Sequence, residues 1–196
     1  MFKGLQSSLL APLLTGLLLC LSGPTSALAA GPDHPGWQQM RQDYAERQLI
    51  ADFYKAFAAH DGARMAASYH PEAEFSDPVF GTLKGPEIGA MWQMLIAAGG
   101  QGLHIRYRDV EVRQGQGRAH WDADYVFGAT GLPVHNQIDA EFSFKDGLIY
   151  RHHDRFDLHR WSSQALGLPG LLFGHTPMLA NTLRTQARAR LKEWTQ

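Results

Sequence analysis

The spacing of hydrophobic residues along the chain changes near residue 103. Before this point, apolar residues recur at helical spacing, and this predicts three helices: residues 48–60, a short one around Met65 and Tyr69, and residues 86–99. After it, apolar and polar residues alternate, and this predicts four strands: residues 103–113, 118–128, 134–145 and 148–158. Asp146-Gly147, between the last two, is the strongest hairpin signal. Three helices followed by an antiparallel meander indicate an α+β fold.

The predicted sheet has to curl around the helices, because both must bury their apolar faces. We therefore expect a cone-shaped barrel of a curved, mainly antiparallel sheet wrapped on three helices, with one open mouth. An extra C-terminal helix follows, since Thr176-Pro177 is typical of an N-cap and a first helical residue. The apolar positions of this helix form one stripe: Leu179, Leu183, Ala187 and Leu191.

Arginine and lysine residues occupy the other faces of this last helix. The pattern favours a surface helix packed by its leucines; a lid, a dimer arm and a contact with anionic lipid are the alternatives. Residues 168–174, just before the helix, are apolar for a loop. We expect that loop to cover the mouth of the cone.

The first thirty residues have the pattern of a secretory signal peptide. Lys3 precedes an apolar run from Leu9 to Leu21, and small residues end in Ala27-Leu28-Ala29. The run is shorter than the ~20 residues of a membrane span. We therefore predict cleavage, export to the periplasm or medium, and no stable membrane span afterwards; an uncleaved anchor is the alternative. The predicted segments are 1–29 signal peptide, 30–46 leader segment, 47–160 cone domain, and 161–196 C-terminal loop and helix.

The composition of the chain argues against several classes of function. The formal net charge of −1 gives no basic footprint for nucleic acid, so no nucleic-acid partner is expected. Cys20 is the single cysteine and lies in the signal segment, so the exported domain has neither a disulfide nor thiol chemistry. The histidines are not spaced as metal ligands, and the sequence has no phosphate loop or dinucleotide motif. We therefore expect no metal and no cofactor.

Residues 75–81, Phe-Ser-Asp-Pro-Val-Phe-Gly, place one carboxylate between a short strand and a turn. The flanking aromatic residues Phe75 and Phe80 are expected to raise the pKa of Asp77 by desolvation, which suits a general base. An aspartate before a proline also commonly caps a turn. A purely structural role is therefore the alternative.

With this motif and this order of elements, residues 47–160 resemble the SnoaL-like branch of the nuclear-transport-factor-two-like superfamily, relatives of ketosteroid isomerases and polyketide cyclases. Asp77-Pro78-Val79 is similar to the segment that carries the base of the isomerases. Their two oxyanion donors fall on Phe53 and Ala140, which offer no side-chain donor, so steroid isomerisation is not expected. Residues 161–167 resemble the extension of an uncharacterised SnoaL-like subgroup.

Strand alternation indicates which side chains face into the cone. On the last strand these are His152, Asp154 and Phe156, and a carboxylate two residues from a histidine biases the tautomer of its ring. The resemblance to cyclases makes Asp154 a catalytic candidate with His152 as its partner; a buried structural pair is the alternative. The catalytic candidates are thus Asp77, His152 and Asp154, and the substrate-binding candidates are Phe53, Phe80, Trp92, Trp121, Tyr125, Asn136 and Phe156.

These residues predict an exported protein that binds a small apolar molecule in its cone and acts on it by cofactor-free acid/base catalysis of isomerase, cyclase or hydrolase type. A non-catalytic binding protein and a dimeric interaction module are the alternatives. The resemblance implies a homodimer formed through the outer face of the sheet. His120, Asp122 and Asp124 are expected on that face, which makes it more polar than obligate interfaces usually are.

Overall fold

The computed structural model describes residues 35–196, so the predicted signal peptide lies outside the described residues. Six α-helices are present in this range: α1 (Pro35–Ala58), α2 (Gly62–Ala67), α3 (Pro86–Gly99), α4 (Leu158–Leu166), α5 (Leu168–Phe173) and α6 (Pro177–Trp194). A short 3-10 helix, Gly100–Gly102, follows α3. Six strands form one sheet: β1 (Tyr69–Asp77), β2 (Gly81–Lys84), β3 (His104–Arg113), β4 (Gln116–Phe127), β5 (Leu132–Lys145) and β6 (Leu148–Arg155).

The sheet is mostly antiparallel and has the strand order β2-β1-β6-β5-β4-β3. Strands β3 to β6 form the predicted meander, and β1 and β2 form an additional hairpin. β1 joins the meander through a parallel pairing with β6. The α+β class, the mainly antiparallel sheet and the C-terminal helix are confirmed. The four strands of the meander and the short strand before Asp77 are present, whereas the sequence pattern does not predict β2.

The start of β1 corrects the prediction of the second helix. Tyr69 is predicted to lie in that helix, but β1 begins at this residue. Its position four residues after Met65 imitates helical spacing, and both side chains are buried. The backbone already pairs with β6 here, because Ile149 N–H donates to Ser68 O at 2.9 Å. Pairing with a distant strand thus overrides the local pattern.

Helix α1 is longer than the sequence pattern predicts, since it begins at Pro35 inside the predicted leader segment. Its first half lacks a regular apolar face and is stabilised by polar pairs one helical turn apart. Gln39 donates to Asp43, and Gln42 donates to Glu46. Asp43 also accepts hydrogen bonds from the backbone of the turn between β3 and β4. These contacts attach the start of the helix to the sheet.

The core lies between the inner face of the sheet and helices α1 and α3. Phe53 and Tyr54 of α1 and Trp92 of α3 are almost completely buried. The Phe53 and Trp92 rings meet edge to face at 5.5 Å, and Tyr54 stacks on Tyr107 of β3 at 5.3 Å. Trp92 also lines a cavity inside the cone, so the packed core and the cavity share a wall.

Helix α6 begins as the sequence predicts. The Thr176 side chain accepts a hydrogen bond from Leu179 N–H, which confirms the N-cap. Leu183 and Leu191 of the predicted stripe are buried, while Arg188 reaches the β1–β2 hairpin. Both Nε and Nη2 of this arginine donate to backbone carbonyls of the hairpin, with Nε 2.9 Å from the first of them. The helix therefore holds the turn that follows Asp77.

Residues 168–174 do not form the loop that the sequence predicts. Most of them form α5, which packs on α4, and none of them lines the cavity. Pro169 suggests a loop in the sequence, but proline is tolerated in the first turn of a helix. None of the helices in residues 35–196 is long and apolar enough to cross a membrane.

We predict that the Arg188 contacts stabilise the hairpin. Arg188→Met keeps the apolar stem but removes both hydrogen bonds, so the free energy of unfolding should fall by about 1–2 kcal/mol. Arg190→Met is the matched control, because Arg190 makes no hydrogen bond or ion pair within residues 35–196. Chemical denaturation measures both, and an equal loss in the two variants would contradict this role.

Candidate functional site

A cavity of about 320 Å³ opens between the inner face of the sheet, α3 and α6. This volume lies near the lower end of the range for small-molecule sites. Its wall is mainly aromatic and aliphatic. Six of the seven predicted substrate-binding residues line it: Phe80, Trp92, Trp121, Tyr125, Asn136 and Phe156. Phe53 does not, because it is completely buried in the core behind Trp92.

Asp77 lies on the cavity wall at the end of β1. Its Oδ1 accepts a hydrogen bond of 2.5 Å from Phe80 N–H, so the same carboxyl also caps the turn. Burial among apolar side chains raises the pKa of Asp77 to about 7, and the nearby carboxyl of Asp154 contributes to the rise, although backbone hydrogen bonds oppose it. The two interpretations of Asp77 from the sequence, turn cap and cavity carboxyl, therefore coexist in one residue.

Asp154 is the second carboxyl on the cavity wall, and two side chains hold it in place. His152 Nε2 lies 3.0 Å from Asp154 Oδ1, and Trp121 Nε1 donates to the same oxygen at 3.2 Å. Asp154 Oδ2 has no hydrogen bond within residues 35–196. One oxygen is therefore fixed by the core, and the other is available to a ligand.

His152 belongs to a chain of hydrogen bonds with a single consistent direction. Trp92 Nε1 can only donate, and it donates to the Tyr69 hydroxyl at 3.0 Å. The Tyr69 hydroxyl then donates to His152 Nδ1, 2.6 Å away. With Nδ1 as acceptor, the ring carries its proton on Nε2 and donates it to Asp154. The network thus selects the tautomer that orients the carboxyl.

The His152 ring does not reach the cavity, although alternation predicts that it faces inward. It is 1% exposed and lies behind Asp154, with the Phe142 ring 4.2 Å and the Trp92 ring 6.0 Å from it. Of the three predicted catalytic residues, only Asp77 and Asp154 can therefore touch a ligand. His152 contacts the cavity only indirectly, through the Asp154 carboxyl.

Asp154 lies beside the position at which the resemblance implies an oxyanion donor that this chain lacks. Ala140, the position at which the resemblance implies an oxyanion donor, is the direct partner of Asp154 in the β5–β6 ladder. Directly opposed residues on one face have their Cβ atoms about 5 Å apart. The carboxyl of Asp154 therefore enters from the neighbouring strand, beside the position that Ala140 leaves without a polar group.

Two parts of the site do not follow from the sequence pattern. The pattern places Tyr69 in a helix, and only the pairing of β1 with β6 brings it to His152. The second part is the wall formed by α6, to which Leu183, Gln186 and Arg190 contribute. The leucine stripe indicates a packed helix but does not identify the surface on which it packs.

Tyr125 and Asn136 are the remaining predicted polar groups of the wall. The Tyr125 hydroxyl accepts from Trp161 Nε1 at 2.7 Å, and its own O–H remains available as a donor. The Asn136 side chain makes no hydrogen bond within residues 35–196, which leaves its amide available to a ligand. In the same range, no group of three or more histidine, cysteine or acidic residues is placed to hold a metal ion.

Residues 50–152, just over half of the chain, match the sequence model of the SnoaL-like domain. No curated protein gives a significant match. Solved structures give a clear likeness in fold. TerC co-crystallised with polyporic acid is 16% identical, with 63% of this chain and 99% of that chain covered and a TM-score of 0.54.

Two further structures extend the comparison. An LEH-like epoxide hydrolase from M. tuberculosis is 16% identical, with 67% of this chain and 96% of that chain covered and a TM-score of 0.51. A hypothetical protein with a ketosteroid isomerase-like fold from Catenulispora acidiphila, in complex with trimethylamine, is 14% identical over 62% of this chain and 94% of that chain, with a TM-score of 0.54. At these identities the likeness concerns the fold alone.

We predict opposite effects for the loss of two buried hydroxyls. Tyr69→Phe leaves the Trp92 donor and the His152 acceptor unpaired, so the free energy of unfolding should fall by about 1–3 kcal/mol. The Tyr54 hydroxyl has no hydrogen-bond partner in residues 35–196, so Tyr54→Phe should leave the free energy unchanged or raise it by about 1 kcal/mol. Urea titration of both variants measures this; equal losses would contradict the network.

We also predict that Asp77 destabilises the fold as pH rises. Its pKa is about 7 in the folded protein and near 4 when unfolded, so the folded state binds more protons between these values and stability falls across this window. Asp77→Asn retains the turn acceptor and removes this cost. The variant should be more stable than the wild type by about 4 kcal/mol at pH 8, because one pKa unit corresponds to about 1.4 kcal/mol.

The gain should vanish near pH 4, where Asp77 is protonated in the folded protein. Thermal and urea unfolding at both pH values measure the difference. A gain that does not depend on pH would contradict a raised pKa at Asp77.

Proposed function

The chain belongs to the SnoaL-like domain family of the nuclear-transport-factor-two-like superfamily, and we propose that it is a cofactor-free acid/base catalyst acting on a small apolar molecule in its cavity. The proposed reaction is of isomerase, cyclase or hydrolase type. Structures with this fold include one described as an LEH-like epoxide hydrolase and one described as having an isomerase-like fold. The proposal itself rests on the cavity of this chain.

The observation that carries the proposal is the Asp77 carboxyl on an apolar wall, with its pKa raised to about 7 by burial. A base with a pKa near neutrality combines a useful ionised fraction with enough basicity to remove a proton. Desolvation also makes a charged carboxylate more reactive than it would be in water. We assign Asp77 the role of general base.

Asp154 is the second proposed reacting group. It shares the cavity with Asp77, and its carboxyl makes ionisation of Asp77 more costly. Pairs of carboxyls whose ionisation is coupled can keep one proton between them, which suits a reaction that removes a proton and returns it elsewhere. The His152 contact holds Asp154 in position for this exchange.

A substrate with a carbonyl group fits these residues. Asp77 would take a proton from the carbon beside the carbonyl, and the charge that develops on the carbonyl oxygen requires a donor. The Asn136 amide on the wall is available for that hydrogen bond. The mainly apolar wall then excludes water and selects an apolar body for the substrate.

Hydrogen–deuterium exchange of small cyclic ketones, followed by NMR in D2O, tests the proposal and does not require the natural substrate. We expect exchange at the carbon beside the carbonyl, with a rate that rises through pH 7 as Asp77 ionises. Asp77→Asn should reduce the rate by ~100-fold or more. Ala123→Trp, which fills the cavity, should abolish binding and exchange together.

A non-catalytic binding protein is the second candidate function. The observation that favours it is the turn cap, because Phe80 N–H already occupies one oxygen of Asp77. In this case Asp77→Asn would change ligand affinity only modestly, and no ketone would exchange. Native mass spectrometry that finds an apolar molecule retained by the wild type, without exchange activity, would replace catalysis with this function.

Export and homodimer formation are part of the proposal. Export is supported by Lys3, the apolar run from Leu9 to Leu21 and the small residues before position 30. The outer face of the sheet is polar: Arg108 hydrogen-bonds to Asp122 at 2.8 Å, and His120 hydrogen-bonds to Asp139 at 2.8 Å. A homodimer formed through this face would therefore have a more polar interface than obligate dimers usually have. Cell fractionation tests export, and analytical ultracentrifugation tests the dimer.

A further inference from the structure

Helix α5 packs against α4 through glycines. A Cβ atom at Gly170 would collide with Ser162 O, and one at Gly174 would collide with Ser162 Oγ. Neither position can therefore carry a side chain. The two glycines are one helical turn apart, so they define the face of α5 that touches the protein.

The large side chains of α5 consequently point to solvent. Helices usually bury such residues and expose polar ones, but here the packed face is glycine and the free face is apolar. The exposed residues, which we call the docking face, are 50–72% accessible: Leu168, Leu171, Leu172, Phe173 and, at the start of α6, Met178. A cluster of exposed apolar side chains this close together in the sequence commonly marks an interaction site.

The docking face lies next to the cavity. Helix α4 contributes Trp161 and Leu166 to the cavity wall, and α5 starts two residues after Leu166. Helix α6, which starts beside Met178 of the docking face, contributes Leu183 and Arg190 to the same wall. The docking face is therefore joined at both ends to helices that line the cavity.

The segment that contains the docking face is basic between Asp157 and Glu193. Residues 158–192 contain five arginine or lysine residues and no acidic residue. Arg160, Arg184 and Arg188 donate hydrogen bonds to other parts of the protein, whereas the side chains of Arg190 and Lys192 make none within residues 35–196. Arg190 is exposed at the cavity wall and has no hydrogen bond or ion pair within residues 35–196. This combination of exposed leucine and phenylalanine with nearby arginine is typical of segments that lie on anionic membranes.

We propose that the docking face binds the surface of an anionic lipid bilayer, with its apolar side chains inserted at the level of the headgroups. The cavity beside it then receives apolar molecules directly from the membrane. A second copy of this chain is a poorer occupant, because a two-fold interface would place the basic segments of both copies together. This proposal does not depend on whether the cavity is catalytic.

Binding of the full chain to vesicles tests the proposal. Leu172→Glu with Phe173→Glu should weaken binding to phosphatidylglycerol-containing vesicles by at least about tenfold. Met40→Glu with Tyr44→Glu is the matched control, because it places the same two charges on exposed apolar positions of α1. The control should bind as the wild type does. Binding should also decrease with added salt and on phosphatidylcholine alone.

The apolar N-terminal residues of the full chain can also bind lipid. Hydrogen exchange measured by mass spectrometry therefore identifies which segment is in contact with the vesicles. Vesicles should slow amide exchange in residues 167–179 and leave α1 residues 38–46 unchanged. Equal vesicle binding of the two double variants, together with unchanged exchange in residues 167–179, would overturn the proposal. A dimer that dissociates only in the Leu172→Glu, Phe173→Glu variant, without vesicle protection of α5, would assign the face to a second copy instead.

Discussion

The hydrogen bond between His152 and Asp154 connects the packed core of this protein with its cavity. Behind the histidine, the indole of Trp92 and the hydroxyl of Tyr69 set the direction of the donors, so that the ring offers its Nε2 proton to the carboxyl. Trp121 holds the same oxygen from the neighbouring side. A carboxyl that would otherwise be costly to bury is thus fixed at the wall, with its second oxygen left for a ligand. The same carboxyl makes ionisation of Asp77 more costly and so contributes to the raised pKa of Asp77.

Different elements contribute different parts of the cavity around this hydrogen bond. The meander from β3 to β6 presents the inner aromatic face, the β1–β2 hairpin presents Asp77, and α6 closes the wall while Arg188 holds the hairpin. Helix α6 carries basic residues. Helix α5, just before it in the chain, packs through glycine and exposes its apolar side chains. The same C-terminal extension therefore completes the cavity and provides a surface beside it.

Much of the fold could be predicted from local patterns, because alternation in the meander and helical spacing in α3 and α6 agree with the final packing. The Asp77 position was recognisable for the same reason, since the aromatic residues that desolvate it are its neighbours in sequence. Tyr69 could not be placed, because its spacing from Met65 imitates a helix and only the distant strand β6 decides otherwise. The relation of Asp154 to Ala140 depends on the β5–β6 register, which no local pattern states. Strand alternation predicts correctly that His152 faces the inside of the sheet, but it cannot show that the core covers the ring.

The central claim is that the cavity holds a carboxyl that gains and loses its proton near neutrality. The most direct measurement is a carbon-13 NMR titration of the aspartate side-chain carboxyls, with Asp77→Asn used to assign the signal of Asp77. We expect this signal to titrate with a pKa of about 7 and the transition to be absent from the variant. A signal that titrates near 4, as for an aspartate in water, would show that Asp77 is a solvated turn cap and would contradict its role as a base.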